Sequence, residues 1–534
     1  MSKERKVFYN CKVYTGELPL RGAFAVEDGF FTEVWDEIPS GLEPEVETVD
    51  LEGRFVCPGF NDSHMHLLNY GKTLAGADLT AHTGSLRDLK DHLRKFLEAR
   101  DPDSGGWLLG RGWNQDYFSD TERMPDRNDL DEVSDSVPIM ITRTCGHCCV
   151  LNTPALEAVG ITCDTEDPEG GSIGRVNGVP DGRLYENAIS LATAVAPVPD
   201  VSDVKKMIRE AAAKANCYGI TSVQTDDYGV FSGLDPLLVN RAYSELEGSG
   251  ELNVRVLEQC SLPSVENLND FIERGGIINN GDTQFRTGPL KLLADGSLGS
   301  RTARLSVNYP GTEEKGILIH SDDEIRELIC LAASNGMNAV VHAIGDGALD
   351  QVLDAFEYAR NRYPGDRRDG IVHCQVSRAD QLRRISELGL CVYAQSVFLD
   401  YDNHIVEELV PEEIAATSYS WKTLLDSGVN VSNGSDCPVE YPDVMKGIQC
   451  AVTRTSLDGT GPYLPGQAFS VREALDSFTS GGAWAGYEEN IKGKIEPGML
   501  ADFTVLGSDP FRTDPYKIKD IEICSTWLGG KKVF

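Results

Sequence analysis

The sequence predicts an α/β fold: a (β/α)8 barrel with a small β domain assembled from both ends of the chain. Three observations carry this. Between about residues 58 and 481, short apolar runs rich in β-branched residues alternate with helical patterns, as parallel strands joined by crossover helices do. Both termini read as short β segments punctuated by turn residues. Histidines recur at the ends of the predicted central strands, and the C-terminal strand ends of a barrel all open on one face.

Residues 1–57 contain two strand-like runs, Val7–Tyr14 and Ala23–Gly29. Residues 482–534 repeat that character: the turn sequence Gly493–Gly498 precedes the run Ala501–Leu506. Chain ends often lie close together, so the two segments are read as one β-sandwich domain. Within 58–481, three predicted strands end near His66, near Gln224–Thr225 and near Cys260. Five more cover Leu290–Leu293, Ala339–His342, Gly370–His373, Cys391–Ala394 and Val429–Ser432. The stretch Asp322–Asn335 carries the start and stop signals of an intervening helix. The first two strands are separated by about 150 residues, far beyond an ordinary loop. Residues from about 75 to 200 are therefore expected to form an inserted lobe over the barrel mouth.

The 534 residues include 84 acidic and 49 basic side chains, a net charge of -35. Phosphate backbones need a basic footprint, so a nucleic-acid partner is excluded; the acidity itself reads as solubility. No apolar run is long enough to span a membrane, and no apolar core follows the basic residues of Met1–Tyr9, so neither a membrane partner nor a secretory signal is expected. Fourteen cysteines without such a signal read as reduced thiols in a cytoplasm.

The chemistry concentrates in a few places. Pro58–His66 contains His64 and His66, which a strand presents on one face. Neutral imidazole is the commonest side-chain ligand for a catalytic metal. His342 and His373 end two later strands, and Asp436 follows the last one. In a barrel these five converge. Lys291 lies inside an apolar strand, where a bare ammonium is costly to bury. It could be neutralised, paired with Asp295, or carboxylated to a carbamate whose two oxygens bridge two cations. Trp113 is a candidate pocket wall or core residue, and Arg301 a candidate clamp for a substrate carboxylate or a structural ion pair. The Cys145–Cys148 segment has the spacing of a thiol–disulfide motif but lacks the strand–helix setting that activates one.

These residues resemble the amidohydrolase superfamily, and within it the amidohydrolase 3 group of YtcJ-like metal-dependent hydrolases. The resemblance rests on Pro58–His66, Gly110–Trp113, Lys291 with Asp295–Arg301, His342–Asp346, Gly434–Pro438 and Gly498–Asp502. It implies a distorted barrel and a binuclear centre, with His64, His66, carboxylated Lys291, His342, His373 and Asp436 as ligands. Two divalent cations, most simply zinc but also iron or manganese, would share one hydroxide. Asp436 would take its proton as general base and return it to the leaving nitrogen as general acid. The implied reaction is hydrolysis of a carbon–nitrogen bond other than a peptide bond, in an amide or cyclic amide of a small molecule. A mononuclear deaminase on the same fold and a non-catalytic regulatory protein are the alternatives. The resemblance also implies a substrate contact at His147 and a possible homodimer. Glu186 could replace the carbamate as bridge, against its reading as an ordinary helix carboxylate. One departure stands out: the group usually has Glu before the sixth-strand histidine, where this chain has Val372. That position is expected to alter the surroundings of the metal, not its ligands.

Overall fold

A computed structural model describes residues 5–42, 46–82, 84–99, 106–143, 148–168, 170–195, 198–276 and 281–534. Two compact units divide the chain. One comprises residues 1–67, 211–228 and 236–534, the other residues 68–210 and 229–235.

The larger unit contains the barrel. Its eight strands are Phe60–Met65, Ile220–Thr225, Arg255–Ser261, Phe285–Leu293, Ala339–Ala343, Gly370–His373, Cys391–Ala394 and Val431–Asn433. They are neighbours in that order, and every pairing is parallel. Most are buried along almost their whole length, as strands covered on both faces must be. Helices Asp322–Ser334 and Asp346–Arg362 are two of the crossovers. The first begins at a capping box in which Ser321 and Glu324 satisfy each other's backbone N–H groups.

The ring closes just past the eighth strand. The Asp436 amide donates to the His64 carbonyl at 2.8 Å, and the His66 amide donates to the Cys437 carbonyl at 2.8 Å. Asp62 accepts from the Ser435 amide at 3.0 Å and also from its hydroxyl. Burial pushes the Asp62 carboxyl up to about 7 against the pull of those hydrogen bonds. Gly434 makes the close approach possible. A Cβ there would stand 2.5 Å from the His64 amide nitrogen and 2.7 Å from an Asp62 carboxylate oxygen.

The terminal segments build two sheets in the same unit. Arg5–Tyr9, Ala23–Glu27, Phe30–Trp35 and Glu47–Asp50 form one. Lys12–Val13, Phe55–Pro58, Phe503–Leu506, Ile523–Leu528 and Lys531–Lys532 form the other. Phe8, Phe24 and Phe31 from the first sheet and Val56, Phe503 and Val505 from the second share one buried apolar cluster. Phe8 and Phe24 stack at 4.9 Å, and both meet Phe503 edge-on at 5.0 Å. The run Val7–Tyr14 is therefore not one strand. Asn10 takes φ 52°, which breaks the extended backbone and sends the two halves into different sheets. A buried ion pair ties the C-terminal sheet to the barrel: Arg255 of the third strand grips Asp502 through both oxygens, at 2.5 and 2.9 Å.

The smaller unit has a six-stranded mixed sheet. Its order is Gly171–Val176, Val179–Glu186, Cys148–Leu151, Ile139–Arg143, Leu108–Trp113, Ala77–Asp78. Trp113 lies wholly buried in its main apolar cluster, with Leu79, Ile141 and Val150. No helix among the described residues is long and apolar enough to cross a membrane.

Two outcomes are expected. Gly434→Ala should lower stability by about 1–3 kcal/mol, because the methyl must displace backbone; thermal denaturation measures this. Asp502→Ala should cost about 3–5 kcal/mol by stranding Arg255. Replacing both partners with apolar residues should cost less than Asp502→Ala alone.

Candidate metal centre

Every histidine predicted to ligate a metal stands where its strand ends, and each has one ring nitrogen already engaged. His64 approaches Gln259 Oε1 through Nδ1 at 3.0 Å. His373 approaches Gln395 Oε1 through Nδ1 at 2.7 Å. His66 Nδ1 is held by the Asp226 carboxylate. An amide or carboxylate oxygen can only accept, so these three rings carry a proton on Nδ1. That leaves Nε2 as a lone pair on His64 and His373, whereas His66 Nε2 faces the Asp436 carboxylate and donates to it, so His66 holds a second proton that a cation must displace. His342 is engaged the other way round: Nε2 approaches the Gly296 carbonyl at 3.1 Å and Asp295 at 3.3 Å, which leaves Nδ1. The glutamines are themselves oriented, since Gln259 Nε2 donates to the Ser63 carbonyl and Gln395 Nε2 to the Tyr393 carbonyl.

The Nε2 atoms of His64 and His66 meet Asp436. Its Oδ1 lies 2.9 Å from His66 Nε2 and 3.4 Å from His64 Nε2. One donor atom each from His64, His373 and Asp436 all fall within 4.8 Å of one another, close enough to share one cation. The His342 ring meets the His373 ring edge-on at 4.5 Å. Lys291 Nζ donates to Asp226 Oδ2 at 2.8 Å. The alternative pairing of Lys291 with Asp295 is not formed; Asp295 is taken up by the amides of Arg304, Ile344 and Gly345.

The electrostatics suit a cation. Burial disfavours charge on Asp436, yet His64 and His66 hold its carboxyl well below the usual range. Burial also opposes charge on His66, but Asp226 and Asp436 on either side raise its pKa well above that of free imidazole. Burial, then His342, keep His373 well below it. A buried nest of imidazole lone pairs and carboxylates, with each imidazole's other nitrogen satisfied, is donor chemistry that fits divalent metal. The backbone is held in unusual conformations here: φ is 76° at His373, 50° at Cys374 and 57° at Asp436. Such left-handed residues are costly and persist where surrounding contacts over-determine them. Trp421 Nε1, for instance, donates to the His373 carbonyl at 3.0 Å.

Other predicted residues fall elsewhere. Arg301 sits exposed at φ 59° on the loop after the fourth strand and makes no ion pair among the described residues. Glu186 is not on a helix but is the exposed last residue of a largely buried strand of the smaller unit. His147 and Cys145 lie outside the described residues. Val372 does not surround the metal. Strand alternation turns it away from His373 into an apolar cluster with Val340, Cys391 and Tyr393. Sequence reasoning missed Asp226, Gln259 and Gln395. The available signal was weak: an acceptor side chain near or just past a strand end, set apart from its polar neighbours only for Gln395, which follows the apolar run Cys391–Ala394.

Cation uptake must displace the proton that Asp226 and Asp436 favour on His66. Binding should release protons, and because the His66 pKa lies well above that of free imidazole, affinity should still rise with pH above the ordinary imidazole range; chelator competition at increasing pH checks the sign.

A family model described as "Amidohydrolase family" matches residues 47–534. The chain is 33% identical to "Putative amidohydrolase YtcJ" of Bacillus subtilis, over 92% of this chain and 91% of that protein. It is 27% identical to "N-substituted formamide deformylase" of Arthrobacter pascens, over 92% of this chain and 91% of that protein. A solved uncharacterized metal-dependent hydrolase from Pyrococcus furiosus superposes with a TM-score of 0.80 at 30% identity, covering 95% of this chain and all of the other.

Proposed function

The chain belongs to the amidohydrolase family, and from that premise we propose that it hydrolyses a carbon–nitrogen bond other than a peptide bond, in an amide or cyclic amide. The observation that carries this reading is Asp436: one buried carboxylate faces the Nε2 atoms of both His64 and His66. His64, His66, His342, His373, Asp436 and Lys291 would hold two divalent cations, with zinc, iron and manganese all suited to the donors. Bound there, such cations supply a Lewis acid for the carbonyl and lower the pKa of water toward neutrality. Asp436 accepts the proton of the attacking water. It then delivers that proton to the leaving nitrogen, which cannot depart as an anion. Lys291, if carboxylated on Nζ, would offer two carbamate oxygens to help hold the cations. The relative whose printed name is a formamide deformylase supports carbon–nitrogen chemistry in particular. The acidic chain favours a small-molecule substrate over nucleic acid, and free thiols at every described cysteine favour a cytoplasmic setting.

A second reading, a one-cation deaminase on the same fold, is favoured by one observation. Among the described residues, the donors within common reach of a single ion are those of His64, His373 and Asp436, while Lys291 Nζ is engaged by Asp226.

Elemental analysis after loading with zinc and bicarbonate separates the readings. About two ions per chain is expected for the two-cation centre. About one supports the deaminase, and none overturns both. Lys291→Ala should lose one or both ions while the barrel stays folded. Asp436→Asn should lower kcat by about 10²–10⁴ through loss of the proton acceptor, with a smaller effect on metal content.

A further inference from the structure

Asp226 follows the second barrel strand and was assigned no role by the pattern of candidate ligands. Its two oxygens are divided between two of those ligands: one engages His66 Nδ1, the other accepts from Lys291 Nζ at 2.8 Å. His66 comes from the first strand and Lys291 from the fourth, so a single carboxylate links ligands on opposite sides of its own strand. Burial opposes its charge, but His66 and Lys291 together hold its carboxyl below the usual range.

The backbone around Asp226 is pinned on three sides. The Asp226 amide donates to the Met65 carbonyl at 3.3 Å. Thr225 Oγ1 accepts from the Leu67 amide at 2.7 Å and donates to Asp227 Oδ1 at 2.9 Å. The Asp227 amide donates to Glu258 Oε1 at 2.8 Å. Thr225 and Asp227 are wholly buried, so neither flank of Asp226 is free to shift. A side chain carried on so constrained a backbone is suited to aiming other groups. Gln259 and Gln395 each orient one imidazole. Asp226 differs in orienting two ligands of different chemistry.

We infer that Asp226 is a positioning residue for the centre, setting at once the orientation of the His66 ring, through a proton held on Nδ1, and the direction of Lys291 Nζ. This rests on the proposed metal-dependent reading. With Asp226 in place, His66 presents Nε2 toward Asp436, and one N–H of Lys291 is spoken for, so any group added to Nζ must project away from Asp226. Without it, both ligands lose their alignment together.

The test uses the full-length protein with Asp226→Ala and Asp226→Asn, and Gln259→Ala as a reference that frees a single imidazole. Asparagine keeps an oxygen that can accept from His66 Nδ1 but removes the charge facing Lys291. Cobalt(II) affinity by chelator competition should fall about 10–100-fold for Gln259→Ala, the usual effect of losing one such partner. It should fall further for Asp226→Ala, with Asp226→Asn lying between Asp226→Ala and wild type. The visible cobalt(II) spectrum should change in both Asp226 variants, and circular dichroism reports whether each is folded. If Asp226→Ala does not fold, the isosteric Asp226→Asn decides on affinity and spectrum. Wild-type affinity and an unchanged spectrum in a folded Asp226 variant would overturn the inference. A readout without metal separates its failure from that of the hydrolase reading. In apoprotein with ¹⁵N-labelled histidine, the Nδ1 proton of His66 should persist in Asp226→Asn and vanish in Asp226→Ala, where only Nε2 still faces a carboxylate. If wild type takes up no cation yet shows that protonation pattern, the hydrolase reading fails and the positioning role stands. A retained Nδ1 proton in Asp226→Ala overturns the positioning role.

Discussion

The structure turns on the seam where the end of the eighth strand meets the first. Gly434 lets two backbones approach within a distance that no side chain would permit. Ser435 is gripped by Asp62, and the Asp436 amide is bound to the His64 carbonyl. This contact closes the barrel. It also delivers the Asp436 carboxylate to the face where His64 and His66 emerge. Closure and site assembly are thus one event, and the left-handed backbone at Asp436 is a cost that the seam's hydrogen bonds offset.

Around that seam the histidines obey a common rule. Each has one nitrogen committed to an oxygen, but the oxygens differ in kind: amide for His64 and His373, carboxylate for His66, backbone carbonyl for His342. A charged acceptor raises the basicity of its imidazole more than a neutral one does. The His66 pKa is accordingly raised well above that of free imidazole, and its other nitrogen lies closer to Asp436 than that of His64 does. The asymmetry is built into the residues before any ion arrives.

The opposite end of the barrel uses charge differently. Arg255 with Asp502 and Lys492 with Glu488 are buried pairs, and Lys492 Nζ also donates to Ser222 Oγ at 3.0 Å. Their charges are matched within the chain, so they tie the C-terminal segment to the strands and leave no demand for an outside ion. At the metal centre the carboxylates of Asp226 and Asp436 outnumber Lys291 once His66 gives up its extra proton. Buried charge serves as fastening in one place and as a binding site in the other, and the difference is whether a partner is supplied in the sequence.

Much of this was legible in the chain itself. Short apolar runs separated by helical patterns are local properties, so the barrel strands and the histidines at their ends could be read directly. Lys291 stood out because an ammonium in an apolar strand needs an explanation wherever it folds. What could not be read was who meets whom. Asp226, Gln259 and Gln395 are ordinary polar residues near strand ends, and their roles exist only once neighbouring strands set their side chains against particular imidazoles. Lys291 paired with Asp226 and not with Asp295 because strand order and loop path, not sequence proximity, decide which carboxylate is near. Val372 turned outward because its neighbour His373 turned in. The break at Asn10 sent one apparent strand into two sheets, since a single left-handed residue redirects the chain at little local expense. Residue type and spacing determined the elements and the kinds of ligand; distances between residues far apart in the chain, which only packing sets, decided the tautomers, the ion pairs and the geometry of the centre.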